Sequence, residues 1–149
     1  ICYDWLFPEV LRQLTFNGAE ILVRVSAYMD PWGTAAPLDW WTLINRTRAL
    51  ENTAYVVASN QAADMKSYPP FGWPGGSMVV DYDGRLLAQA DPGPGEKVVV
   101  APINVTQLRE ERARRHAGSY PQRSVFVSKW AGTDSGARMA GWPGTGNPY

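Results

Sequence analysis

The sequence predicts an α/β fold. A short helical pattern closes at Asn17-Gly18 and runs directly into a dense apolar strand, and the same succession of helix and buried strand recurs between Asp39 and Ser59. Two further apolar runs flank Asp83-Gly84, the dipeptide that most often closes a two-residue β-hairpin.

In chain order, Pro8 to Phe16 reads as the first helix. Leu11 and Leu14 stand three apart with Val10 beside them, Pro8 suits a first turn, and Asn17-Gly18 stops the run. Glu20 to Ser26 is so rich in apolar residues that it reads as a largely buried strand. Tyr28 to Pro37, with two prolines, a glycine and Trp32, is a loop. Asp39 is the expected N-cap of a helix that carries Trp40, Trp41, Leu43, Ile44 and Leu50 and ends near Asn52. Ala54 to Ser59 is a second buried strand, and Asn60 to Gly76 is a long loop of the kind usually kept for function. The hairpin strands are Ser77 to Tyr82 and Arg85 to Ala90, and Val98 to Ala101 is expected as one more strand. Thr106 is read as the cap of a last helix through Leu108, Arg109, Glu110 and Glu111. Ala131 to Tyr149 has no periodicity and reads as an arm or tail.

The 149 residues suffice for one domain with a real core, and the make-up is globular at 45% hydrophobic and 19% charged. Fourteen basic side chains balance fourteen acidic ones, so no overall field favours nucleic acid or an anionic membrane. No apolar run approaches the roughly 20 residues of a membrane helix. A single cysteine argues against a disulfide-stapled secreted domain, and a reducing, cytoplasmic setting is expected. No cluster of His, Cys and carboxylates has metal-ligand spacing, so neither a metal nor a cofactor is expected. The glycine-rich run Gly72 to Gly76 lacks the Lys-Ser/Thr of a phosphate cradle.

The one cysteine, Cys2, is either a buried small hydrophobe or a reactive thiol. It is expected at the end of a strand, just before a helix that begins near Phe7 or Pro8. Backbone N–H groups at such a turn point toward one spot, where they favour a thiolate and later an oxyanion. His116, the only histidine, is the one available partner for a Cys-His pair, but it lies in a run of arginines.

Three segments carry a family resemblance. They are Ile1-Cys2-Tyr3-Asp4 with Phe7-Pro8-Glu9 and Gly18-Ala19-Glu20-Ile21; Asn45-Arg46-x-Arg48-Ala49-Leu50-Glu51-Asn52 followed by Tyr55-Val56-Val57; and Gly75-Gly76-Ser77 before the Asp83-Gly84 hairpin. In order and spacing they resemble the nitrilase, or carbon–nitrogen hydrolase, superfamily. Val23-Arg24 with Ala27-Tyr28-Met29-x-Pro31 is most similar to its aliphatic amidase branch. The histidine of the Nit relatives is replaced by Trp40, and the arginines that follow the cysteine in N-carbamoyl amino acid hydrolases are replaced by Asp4, Trp5 and Leu6.

The resemblance implies half of a four-layer α-β-β-α sandwich, completed by a missing N-terminal half or by oligomerisation. Residues 1–116 would be the C-terminal half of the hydrolase domain and 117–149 an arm or tail reaching another subunit of a homo-oligomer. It also implies a Cys-Glu-Lys mechanism on a small uncharged amide, or alternatively a nitrile, by way of a thioester. Cys2 would be the nucleophile, the backbone N–H of Tyr3 an oxyanion donor, and Ser26, Ala27 and Tyr28 the substrate-binding residues. Glu51, Arg48 and Glu9 are expected as structural or supporting residues; Glu51 would otherwise pair with Arg46 or Arg48. The family's glutamate and lysine lie upstream of the cysteine, so a partner half is expected to supply them. Without it, the chain would be a catalytically incomplete fragment.

Overall fold

A computed structural model describes residues 1–29, 33, 37–63, 66 and 72–115. These residues fall into two compact units. One comprises Ile1–Thr15 and Ala19–Ile103; the other holds Phe16–Gly18 and the chain from Asn104 onward. Trp32, His116, Lys129 and the predicted 117–149 arm lie outside the described residues.

The first unit opens with a 3-10 turn, Cys2–Leu6, and continues into α1, Pro8–Phe16. The helix ends where expected, because Gly18 takes a left-handed φ of +98° that a side chain would oppose. β1 (Ile21–Ser26) leads by way of α2 (Trp40–Asn52) to β2 (Tyr55–Asn60), which lies parallel to β1 with Ile21 opposite Tyr55 and Ser26 opposite Asn60. Asp39 caps α2 as predicted, its carboxylate accepting from the Thr42 N–H at 3.2 Å.

The loop after β2 is not wholly irregular. β3 (Ala62–Ala63) and β4 (Trp73–Pro74) form a small antiparallel pair. The hairpin is β5 (Met78–Val80) and β6 (Leu86–Gln89), shorter than the sequence suggested. Asp81 ends β5 early, because its carboxylate accepts from the N–H groups of Asp83 and Arg85 at 2.8 and 2.9 Å and turns the backbone locally. The main sheet runs β1-β2-β5-β6, with β5 antiparallel to both neighbours and a register shift at Val79/Val80.

One face of this sheet is covered; the other is covered only in part, with Tyr55 and Val79 buried. Leu22, Val56, Ala58, Met78 and Val80 pack with Trp5, Leu11, Trp41 and Ala49 in a single core. Burying each large apolar side chain contributes about 1.5–3 kcal/mol. The opposite face leaves Val23 and Val25 65% and 57% exposed, an apolar surface on an edge strand.

Two local expectations fail. Val98 to Ala101 joins no ladder among the described residues, and Val98 and Val100 are largely exposed, so the apolar run there finds no strand partner. In the second unit, α3 (Val105–Arg114) is capped by Asn104, not Thr106. The Asn104 carbonyl oxygen Oδ1 accepts from the Gln107 N–H at 2.9 Å, and the helix begins one residue before Thr106.

Candidate active site

The site is assembled around the first turn of the chain. Cys2 opens the 3-10 turn, and its φ of +46° lies in the left-handed region that a β-carbon disfavours. Such a backbone persists only where its surroundings hold it, and here α2 does so. The Arg48 guanidinium donates through Nε to the Trp5 carbonyl at 3.0 Å and through Nη2 to the Leu6 carbonyl at 3.3 Å. Its Nη1 meets Glu51 Oε1 at 2.9 Å. Arg48 thus satisfies the last carbonyls of the turn that begins with Cys2, groups that a helical turn leaves without an internal partner.

Glu51 faces a second cation, Arg12 of α1, at 3.4 Å. Of the two pairings foreseen for it, Arg48 is the one formed; Arg46 instead donates to the Gly84 carbonyl at 2.6 Å. Burial holds the Arg12 guanidinium below its usual range, with Glu51 opposing the shift. Glu9 is exposed in the first turn of α1, where its charge bears on Arg12. Tyr3 is half-exposed and packs edge-on against Phe7, ring centroids 5.5 Å apart.

At the end of β1 the chain places Arg24, Ser26, Ala27 and Tyr28. Ala27 is exposed, and its carbonyl accepts from the Trp73 indole at 3.1 Å. Tyr28 is buried and clamped by Asn60 of β2. The Asn60 Oδ1 accepts from the Tyr28 N–H at 2.8 Å, and its Nδ2 donates to the Tyr28 carbonyl at 3.2 Å and the Gly75 carbonyl at 3.1 Å. Burial raises the pKa of the Tyr28 hydroxyl, and the Arg24 cation opposes that rise.

Arg24 is the residue that sequence reasoning missed. It is fully buried, and its Cζ lies 5.2, 5.0 and 4.4 Å from the ring centroids of Trp5, Tyr28 and Trp41, within cation–π range of all three. Nε donates to the Ser26 hydroxyl at 3.1 Å and Nη1 to Asn45 Oδ1 at 2.9 Å, while Nη2 has no acceptor. Burial lowers its pKa to about 10; the charges of Tyr28 and Cys2 oppose the shift, and Arg48 adds to it. It remains a cation at neutral pH. The signal lay in the sequence: a lone arginine in Ile-Leu-Val-Arg-Val demands a buried partner set. Of the two tryptophans that open α2, Trp41 is buried with its ring centroid 6.2 Å from that of Tyr28, while Trp40 is half-exposed.

Cys2, Arg24, Ser26, Tyr28, Arg48 and Glu51 therefore belong to one neighbourhood, linked through Trp5, Trp41 and Asn45. No hydrogen bond or ion pair ties Glu9, Lys66 or Lys97 to it; the Lys97 ammonium holds the carbonyls of Asp91, Pro92 and Gly93 at 2.8–3.1 Å. Among the described residues, no group of three or more His, Cys, Asp or Glu side chains gathers as a metal site. No helix among them is long and apolar enough to cross a membrane.

Comparison with known proteins gives consistent results. The profile of the carbon–nitrogen hydrolase family matches residues 1–113. A deaminated glutathione amidase of Synechocystis is 36% identical over 127 residues, covering 85% of this chain and 43% of the relative. Among solved structures, the Caenorhabditis elegans NitFhit protein superposes with a TM-score of 0.64 at 29% identity, over 83% of this chain and 28% of that one. A mutant amidase from Nesterenkonia sp. AN1 superposes with a TM-score of 0.57 at 25% identity, over 80% of this chain and 42% of that one. In it, the acetamide moiety of fluoroacetamide is covalently added at the active-site cysteine. The chain spans less than half the length of the relatives it matches.

Proposed function

The chain belongs to the carbon–nitrogen hydrolase family, and from that premise we propose that it hydrolyses a small uncharged amide with Cys2 as nucleophile. The observation that carries this reading is the left-handed backbone of Cys2 at the head of a turn whose far end Arg48 holds. Strain of this kind concentrates where a nucleophile is presented. The Nesterenkonia amidase, which takes a small acetamide group onto its cysteine, supports both the nucleophile and the substrate class.

In the proposed reaction the Cys2 sulfur attacks the amide carbon and the Tyr3 N–H holds the developing oxyanion. Ammonia leaves, and water then releases the acid from the thioester. Tyr28, with Ser26 and Ala27, lines the acyl side. The glutamate base and the lysine come from residues other than those described, because Glu51 is committed to Arg48 and Arg12 and Lys97 to three carbonyls. A nitrile would first give a thioimidate, which takes up one water and loses ammonia to reach the same thioester.

Ammonia release from a panel of small amides and nitriles, with Cys2→Ala alongside, tests this reading. Release from the wild-type chain should be lost in Cys2→Ala, and the preferred substrates separate amidase from nitrilase. Release that persists in Cys2→Ala refutes the assignment. No release from folded wild-type chain selects the alternative, a fragment that lacks its base and lysine.

A further inference from the structure

Resting on the reading of Cys2 as nucleophile, we propose that Arg24 is its positioning residue: a caged, buried guanidinium whose unmatched Nη2 supplies the counter-charge for the Cys2 thiolate. The cage is unusual in what it lacks. A buried cation ordinarily recruits a carboxylate, yet both acceptors here, Ser26 Oγ and Asn45 Oδ1, are neutral. The remaining surroundings are the faces of Trp5, Tyr28 and Trp41, which favour positive charge without neutralising it. The buried Nη2 group is left without an acceptor among the described residues.

As a purely structural device this is a poor choice. Arg24 lies level with Ala58 and Met78 and next to Leu22 and Val56 on the same face of the sheet, and an apolar side chain there would avoid the desolvation of a charge. The arrangement makes sense if an anion forms beside it. Trp5, stacked on Arg24, stands three residues after Cys2 in the same turn, and Tyr28 stacks from another side. The charges that oppose the loss of the Arg24 proton are those of Tyr28 and Cys2. Of the two, the thiolate is the anion that the proposed reaction requires.

Alkylation by iodoacetamide reads the thiolate without any need for amide turnover. After the thiol proton has passed to solvent, the sulfur forms a bond to the methylene carbon, and iodide leaves with the carbon–iodine electron pair. The charged and titratable groups around Cys2 are the Ile1 ammonium paired with Asp4, Tyr3 on the same turn, Arg24 and Tyr28 at the end of β1, and Arg48 from α2; all but Arg24 stay constant in the comparison. The experiment labels the full chain, with Cys2→Ala as the blank, over about pH 6 to 9.5, a range that brackets ordinary thiol ionisation. Near neutral pH, Arg24→Met should label about tenfold more slowly than wild type, the effect of losing one nearby opposite charge, and should converge with it at the alkaline end. Arg24→Lys should recover most of the rate.

Equal rates for Arg24→Met and wild type at every pH would overturn the proposal. A uniform slowing with no convergence would do so too, since that is the mark of altered packing, as would a lysine variant no faster than methionine. Should Arg24→Met fail to fold, Asn45→Asp serves instead: it sets a carboxylate on Nη1 at unchanged volume and should slow neutral-pH labelling in the same way, an unchanged rate being the refuting result. The labelling measures the thiol directly, so a failure of the amidase reading shows separately, as ammonia release that ignores Cys2→Ala.

Discussion

Replacing Arg48 by alanine removes the side chain that ties α2 to the cysteine turn. The guanidinium makes three contacts: the Trp5 carbonyl at 3.0 Å, the Leu6 carbonyl at 3.3 Å and Glu51 Oε1 at 2.9 Å. Trp5 is only 1% exposed, so water does not readily replace the donor lost to its carbonyl, and a charged hydrogen bond to a buried acceptor contributes about 1.5–3 kcal/mol. The Leu6 bond is longer and part-buried and adds less. Glu51 keeps Arg12 at 3.4 Å and is a quarter exposed, so its side of the pair is discounted for screening. The expected loss is about 2–4 kcal/mol, a large share of the 5–15 kcal/mol typical of a domain. Urea titration of the full chain should show it as a lower midpoint at unchanged slope. Arg48→Lys should recover less than half, because a compact ammonium cannot reach in two directions as the planar guanidinium fork does, toward the turn carbonyls and Glu51. A loss under about 0.5 kcal/mol for alanine, the size of an ordinary surface change, or full recovery by lysine, would refute the clamp.

Asn60→Ala removes all three side-chain hydrogen bonds that hold Tyr28 and Gly75, and should speed amide hydrogen exchange at Tyr28 while lowering stability by about 1–3 kcal/mol; unchanged exchange would mean the strand alone fixes Tyr28. In α3, Glu111 pairs with Arg114 and with Arg115 at 2.6 Å, and these bonds pull its carboxyl from 4.5 down to about 2. Because the folded value is the lower one, its stabilising effect is complete above the ordinary carboxylate range and is lost as pH falls toward 2. Circular dichroism through acid titration should show that loss of helix; Glu111→Gln should flatten it, and an identical acid profile for the variant would argue against the pairing.

What the sequence disclosed was periodic or locally punctuated. The bounds of α1 followed from Pro8 and Gly18, the start of α2 from Asp39, and the two parallel strands from unbroken apolar runs. The hairpin was visible through Asp83-Gly84, although the carboxylate of Asp81 shortened it. Val98 to Ala101 misled because an apolar run becomes a strand only where it pairs with an edge, and this one pairs with none among the described residues. The 3-10 turn at Cys2 was invisible for a different reason. Its carbonyls are satisfied by Arg48, 43 residues from Trp5 in sequence, and no local pattern encodes so distant a donor. The same holds for Asn60, which lies 32 residues from the tyrosine it clamps.

α2 shows most clearly why the site resisted a binary reading of apolar and polar positions. Trp41, Asn45, Arg48 and Asn52 follow one another at steps of four, three and four, so they form a single stripe, and all four are buried. Three of the four are polar, while Trp40, Leu43 and Leu50 on the same helix are 44–59% exposed, an inversion of the usual amphipathic pattern. An apolar stripe would bury at lower cost, but it would tolerate a small rotation or slide of the helix. The polar stripe does not. Trp41 Nε1 reaches the Gly76 carbonyl at 2.7 Å, Asn45 takes Arg24, Arg48 takes the cysteine turn, and Asn52 donates to the Arg48 carbonyl and accepts from Thr15. A shift of one residue would break the bonds to Gly76, Arg24, the cysteine turn and Thr15 together and strand several buried donors, each loss costing about 1–3 kcal/mol. The helix is therefore indexed at once against the entry to β5, the end of β1 and the turn bearing Cys2. These are the three parts whose mutual placement the proposed chemistry needs, and directional bonds fix it where hydrophobic contact alone would leave it loose.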